Sequence, residues 1–290
     1  MAIWNLGSIN ADMVYALPHL PTAGETLAAT ELDQFLGGKG ANMSVAAARA
    51  GSHVHHIGAV GPEGGWAVAR LMEYGVDTRR ITTLDLPTGH AIIAVDDRGE
   101  NQIILFPGAN RAITRDQIGQ ALSEANAGDI LVLQNETNMQ VETAKMAQAL
   151  GLKVAYAAAP FEAEAVSLIL PYLDLLFLNE VEAKQLQQAT GKSADALGVA
   201  DVIVTLGAKG ARHYTSTSDE ASEVAALPVT PIDTTGAGDT FTGYVLSGLD
   251  RGLPMPQAMG LAARAAALMV TRHGTADVIP DLKEVQNAHF

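Results

Sequence analysis

Short, continuous apolar runs alternate with alanine-rich or amphipathic stretches along most of this chain. Ile3–Leu6, Val54–Val60, Ile130–Gln134, Lys153–Ala157 and residues 175–178 and 202–206 read as strands. Between the first two, residues 40–50 carry a helical pattern that stops at Gly51; after the second, residues 65–74 carry another that stops at Gly75. Glycine suits a helix C-terminus because it reaches the left-handed conformation without a Cβ penalty. Strands that are apolar throughout, rather than alternating, are buried on both faces. Their succession with helices predicts a mainly parallel sheet covered on each side.

Two segments break this rhythm. Residues 12–36 alternate polar and apolar positions around Pro18 and Pro21. Residues 88–106 read as a hairpin, with strands at 91–95 and 102–106 around the turn Asp96-Asp97-Arg98-Gly99. Strands of this kind predict a small second sheet, drawn from about 11–36 and 88–106. Placed over the carboxyl ends of the main strands, it would act as a lid that excludes water. A decorated edge of the main sheet is the alternative. In either case the 290 residues form one catalytic-size α/β domain with a discontinuous appendage.

Composition narrows the partners. A hydrophobic content of 48% with 17% charged residues supports a large core. The formal net charge of −14 argues against binding nucleic acid or an anionic membrane through a basic surface. It leaves room for a phosphate held locally by backbone amides, a metal ion and one or two cations. With no cysteine, disulfides, thiolate nucleophiles and cysteine-bound zinc are excluded, in keeping with a cytoplasmic location. The N-terminal MAIWNLGSINADM lacks the pattern of a secretory signal, and the apolar stretch at 261–270 is short and interrupted by Arg264.

The stretch DTTGAGDTF, residues 233–241, carries the most chemistry. Gly236, Ala237 and Gly238 precede an acid, Asp239, and a helical pattern at 240–249. Glycines permit close backbone approach, and a helix N-terminus attracts anions. An acid there reads either as a loop cap or as a base that takes a proton from a hydroxyl attacking phosphorus. A second glycine cluster, GGKGAN at 37–42, opens the first main helix. It lacks the spacing of a Walker A loop, and GAVGPEG at 58–64 lacks that of a dinucleotide fingerprint.

GSINADMV near the start, GGKGAN, the GAN at 108–110, the NEVE at 179–182 and DTTGAGDTF occur in one order along nearly the whole chain. Together they resemble the ribokinase, or PfkB-type, family of carbohydrate kinases. The resemblance implies an α/β three-layer sandwich of the ribokinase type, with a central mainly parallel sheet and a small β-sheet lid. It implies ATP-dependent phosphorylation of a sugar's primary hydroxyl, most closely O5 of D-ribose, with Mg²⁺ as cofactor and K⁺ as activator. A homodimer built through the lid strands is implied as well.

Residue by residue, the resemblance makes Asp239 the catalytic base and the amides of Gly236, Ala237, Gly238 and Asp239 an anion hole. Asn10, Asp12, Gly38, Lys39, Asn42 and Glu136 would contact the sugar, although Glu136 also reads as a surface acid at a strand end. Asn179 and Glu182 would organise Mg²⁺ and its waters around the triphosphate. They read equally as a helix N-cap with its capping-box partner, and the two roles are compatible. Thr205, Gly207 and Gly210 match the nucleotide loop, with Lys209 beside it. Asp233 and Thr235 match monovalent-cation ligands, completed from residues 271–277.

Three departures from the family pattern stand out. The span between Thr190 and Asp201 is short, Ala157-Ala158-Ala159-Pro160 lacks an Asn-Pro, and HGTAD at 273–277 lacks a small hydroxyl residue near its end. Other acceptors (deoxyribose, fructose, a ketodeoxy sugar acid, a nucleoside) remain open, as does a catalytically silent sensor on the same fold. The intact Asp239, GAG turn and NEVE count against the sensor. Finally, His53, His55 and His56 lie on a predicted strand with His53 and His55 on one face. No carboxylate or cysteine stands near them in sequence, so they read as surface or core residues.

Overall fold

The computed structural model describes the backbone of residues 1–290 and every side chain except those of 219 and 220. The chain runs β1 (Ile3–Leu6), β2 (Asn10–Leu17), β3 (Glu31–Gly37), α1 (Lys39–Arg49), β4 (Val54–Val60), α2 (Gly65–Glu73) and β5 (Asp77–Thr83). It continues through β6 (Gly89–Asp96), β7 (Asn101–Phe106), α3 (Arg115–Leu122), β8 (Ile130–Gln134), α4 (Gln140–Ala149), β9 (Lys153–Ala157) and α5 (Ala163–Ile169). The remainder is β10 (Leu175–Asn179), α6 (Glu180–Thr190), β11 (Asp201–Thr205), β12 (Ala211–Thr215), β13 (Ser218–Val224), α7 (Ala237–Asp250), α8 (Met255–Met269) and α9 (Leu282–Asn287).

Nine strands form the main sheet in the order β13-β12-β11-β10-β9-β8-β1-β4-β5. The seven from β11 to β5 are parallel, and β12 and β13 extend the sheet antiparallel at one end. β1, β4 and β8 are buried along their whole length, as expected of strands covered on both faces. Two apolar clusters fill the layers. One packs α1, α7 and α8 against one face through Val45, Tyr244, Leu246 and Ala262. The other packs α3 and α4 against the opposite face through Trp4, Ile118, Leu133 and Ala147.

A separate four-stranded sheet takes the order β3-β2-β6-β7. β2 runs parallel to β6, and β3 and β7 flank them antiparallel. The turn between β6 and β7 is closed by the Asp96 carboxylate, which accepts the amides of Arg98 and Glu100 at 2.8 and 3.0 Å. β7 is exposed along its length and presents Ile103, Ile104, Leu105 and Phe106.

Two local readings change and a third holds. Helix α7 begins at Ala237, three residues earlier than its apolar periodicity indicates, so Asp239 lies inside the first turn. The cause is Gly236, whose φ of 75° lets the chain turn into the helix. β5, β12 and β13 are strands that the apolar runs do not reveal. Between α6 and β11 the chain makes only a 3₁₀ turn at Ala194–Ala196, matching the short span seen in sequence.

Candidate active site

The carboxyl ends of β10 and β11 and the N-termini of α1, α6 and α7 converge on a cleft of about 520 Å³. This is where open α/β sheets hold ligands. Lys39, Asn179, Glu182, Thr205, Gly207, Gly236, Gly238 and Asp239 all line it. Met43, Thr234 and Thr242, which motif reading did not single out, line it as well.

Asp239 is the third residue of α7 and is only 6% exposed. An acid in a first helical turn is favoured by the positive end of the helix dipole. Asn42 Nδ2 donates to its Oδ2 at 2.9 Å, and Lys39 Nζ lies 3.8 Å from its Oδ1. Both partners come from the first turn of α1, so GGKGAN and GAGD meet face to face. Asp239 and then Glu136 hold the Lys39 ammonium above the usual lysine range, against the opposing effect of burial. Asn42 is also buried, and its Oδ1 has no hydrogen-bond partner among the described residues. A buried acceptor left open in this way points to a hydroxyl or N–H donor from a ligand. A Cβ on Gly238 would meet nothing within 4 Å, so the backbone at the start of α7 is open to the cleft.

How α1 is placed explains this meeting. Gly7 and Gly40 touch backbone to backbone: a Cβ on Gly40 would lie 2.3 Å from Gly7 Cα. Asn5, fully buried on β1, donates to Gly40 O and Ser44 Oγ, both at 2.8 Å. Gly38 enters the helix with φ of 93°, against Ser8 O and the Asn10 amide. Its observed part is thus to let the backbone pass.

The second sheet brings Asp12, and the loop after β8 of the main sheet brings Glu136. Asp12 on β2 sits over Gly37, where a Cβ would come within 2.0 Å of its Oδ2. Burial first, then the charges of Glu136 and Asp239, push the Asp12 carboxyl up to about 7. Glu136 is fixed by the Ser8 hydroxyl and by the Lys39 amide, the latter at 3.0 Å. Ser8 in turn accepts from the Gly40 amide at 3.1 Å, which makes it a link that motif reading missed, inside GSINAD and two residues before Asn10. Asn10 accepts from Asn110 Nδ2 at 2.8 Å, and Asn110 Oδ1 accepts the Ile9 amide at 2.9 Å. Asn10 and Glu136 also line a smaller cavity of about 280 Å³ with Asn135, Arg111 and Phe161. Those last three come from loops far apart in sequence, and no local pattern marks them.

On the opposite side, Asn179 and Glu182 form a complete capping box. Asn179 Oδ1 accepts the Glu182 amide and Glu182 Oε2 accepts the Asn179 amide, both at 2.8 Å. Burial still raises the Glu182 carboxyl above the ordinary range, outweighing its amide bond and the nearby Lys39. Gly210 does not reach the cleft. With φ of 105° it packs where a Cβ would be 2.0 Å from Val224 O, and the Leu206 amide donates to its carbonyl at 2.7 Å. Ala237 also stands back from the cleft. Asp233 lies behind it, accepting from the amides of Thr235 and Gly274 at 2.9 and 3.2 Å. The segment 271–277 is therefore beside Asp233, but Asp277 itself is turned toward Tyr74 and Arg70.

A carboxylate beside a helix N-terminus and a lysine, facing buried oxygen acceptors, suits removal of a proton from a hydroxyl next to an anion. Fold and site define a kinase for a small, hydroxyl-bearing molecule. The model of the pfkB family carbohydrate kinases matches residues 3–282, and the chain belongs to that family. It is 35% identical to the ribokinase of Haemophilus influenzae over 297 residues, covering 96% of this chain and 95% of that one. The solved structure of a Thermotoga maritima ribokinase is similar at a TM-score of 0.88 and 33% identity, covering 99% and 98% of the two chains. An Arabidopsis thaliana ribokinase complexed with ribose and ATP is similar at 0.86 and 28%, with the same coverage. The expected fold and the sugar-kinase activity are thus borne out.

Proposed function

We propose that this enzyme transfers the γ-phosphoryl group of ATP to the primary hydroxyl, O5, of D-ribose. The observation that carries this reading is the facing pair of loops: Asp239 held by Asn42 and Lys39, with Asp12 close enough for the two acids to feel each other's charge. Asp12, Asn10, Glu136 and the open Asn42 Oδ1 supply acceptors for the hydroxyls of a pentose. With its far end fixed, the sugar presents O5 to Asp239, which takes the proton as the oxygen attacks phosphorus. The amides of Gly236 to Asp239 and the Lys39 ammonium then face the charge that develops on the phosphoryl oxygens.

ATP fits the 520 Å³ cleft, with Thr205 and Gly207 beside its base and sugar and Asn179 toward its phosphates. Mg²⁺ would neutralise charge on the triphosphate, and the donor set suits it: an acid and an amide oxygen at one rim, each with a lone pair beyond the capping box. Asp233 and the backbone of 271–277 offer hard oxygen donors for K⁺, with Thr235 beside them. β2, β3, β6 and β7 act as the lid. The apolar side chains of Ile103, Ile104, Leu105 and Phe106 on an unpaired edge favour a homodimer closed through that sheet. Among the described residues no helix is long and apolar enough to cross a membrane. The cytoplasmic location proposed for the enzyme rests instead on its cysteine-free composition.

The reading is tested by sugar-dependent ADP release over ribose, deoxyribose, fructose, a ketodeoxy sugar acid and nucleosides. Ribose should give the highest kcat/KM. Faster turnover of another acceptor would displace ribose alone, and no ADP release with any of them would sink the ATP-dependent kinase reading.

A further inference from the structure

The histidine cluster at the amino end of β4 gains in three dimensions the partner it lacks in sequence. β5 pairs with β4 in parallel, and the register sets Asp77 opposite His55. Residues two apart share a face of a strand, so His53 and His55 present their rings on the same side as Asp77. The two imidazoles stack with centroids 4.5 Å apart at 22°. His55 Nδ1 lies 3.1 Å from Asp77 Oδ2, and His53 Nε2 lies 3.9 Å from the same oxygen. One ligand atom from each of the three residues falls within 4.8 Å of the others.

We propose that His53, His55 and Asp77 form a binding site for a divalent late first-row metal ion, separate from the catalytic cleft. Donors bonded to one such ion at about 2.0–2.2 Å stand roughly 3–3.5 Å apart, close to the spacing already present. Two imidazoles and one carboxylate, with positions left for water, suit Zn²⁺, Ni²⁺ or Cu²⁺ rather than Mg²⁺. A hydrogen bond explains the approach of His55 to Asp77 but not that of His53, whose nitrogen stops beyond hydrogen-bond reach of the same oxygen.

The surroundings hold the donors in place. Arg79 grips Asp77 through its side chain at 2.6–3.1 Å and its amide at 3.0 Å, holding the carboxylate aimed. It also places a positive charge on Oδ2, which makes the site weaker than a closed structural zinc centre. Behind His55, the Trp4 indole stacks at 4.0 Å between centroids. His53 is well exposed and gives the ion its entry. Because β5 is the edge of the main sheet, a bound ion would pin that edge to β4. His56 plays no part: it is fully buried, bonded to Ser44 and Gly7, and burial pushes its imidazole down to about 4.

Trp4 provides a readout independent of catalysis. In tag-free, chelator-stripped protein carrying Trp66→Phe, Trp4 is the sole indole. Titration with Cu²⁺, the tightest binder of the series, should quench it saturably with one ion per chain by equilibrium dialysis. His53→Ala and Asp77→Asn should each weaken binding by about tenfold or more while Mg²⁺-supported ADP release stays unchanged. His53 is exposed, so its replacement leaves the fold intact. Quenching that does not saturate, or that keeps the same midpoint in His53→Ala, would overturn the site and assign the copper to another histidine.

Discussion

Asp12 should be a residue whose removal stabilises the free enzyme while disabling it. Its carboxyl is raised from 3.8 to about 7 by burial and by the charges of Glu136 and Asp239. Between those values the folded chain holds a proton that the unfolded chain has lost, so stability falls as pH rises and the full loss is present above 7. At 1.36 kcal/mol per pH unit the rise corresponds to about 4 kcal/mol, which water reaching a half-buried group reduces to roughly 2–4. Asp12→Asn keeps the shape over Gly37 and removes the charge. Calorimetry of the sugar-free protein at pH 8 should therefore place the variant's Tm about 4–8 °C above the parent, at roughly 2 °C per kcal/mol for a chain of this size. At pH 5, where the parent's carboxyl is protonated in the fold, the gap should shrink to about two-fifths. Taking the difference between variant and parent removes the contribution of the acids that do not interact with Asp12. Sugar-dependent kcat/KM should meanwhile fall by ~100-fold or more, since two charge-assisted hydrogen bonds are lost. An unchanged or lower Tm at pH 8, or a gap equal at both pH values, would refute the reasoning.

The same carboxyl predicts a pH profile: kcat/KM for the sugar should drop about tenfold per pH unit below about 7, because hydroxyls donate to the ionised form, and Asp12→Asn should lose that limb. Asp239→Asn should lower kcat by ~10²–10⁴ in the ADP-release assay with the sugar KM changed by only a few-fold. Replacing K⁺ by choline should slow turnover, and Asp233→Ala should abolish that response, as measured by initial rates in matched ionic strength. Ile104→Glu on β7 should halve the mass seen by light scattering, since it sets a charge into the apolar edge proposed to pair.

How much of this was readable beforehand follows from what buries each element. β1, β4, β8, β9, β10 and β11 sit under helices on both faces, and that burial writes itself as an apolar run. The glycine clusters were legible for a different reason. Gly37, Gly40 and Gly236 mark places where a side chain would strike Asp12, Gly7 or the turn into α7, so the constraint falls on the residue itself. Asn179 and Glu182 carried two readings, and the structure displays the capping box directly while leaving their cleft-facing atoms available.

What could not be read lies at edges and between distant loops. Arg111, Asn135 and Phe161 meet around the smaller cavity only because β7, β8 and β9 end near one another, and none belongs to a periodic pattern. β5 has the sequence DTRRITT and half-exposed positions, since an edge strand needs no continuous apolar run. β12, with Arg212, His213 and Tyr214, is hidden for the same reason. Failing to see β5 has a chemical consequence. Without that strand His53 and His55 have no carboxylate in reach, and the cluster reads as ordinary surface. Once the parallel register sets Asp77 opposite His55, the same two histidines become two-thirds of a ligand set. Strand neighbours, not sequence neighbours, decide which side chains can share an ion, so an unrecognised edge strand conceals chemistry as well as topology.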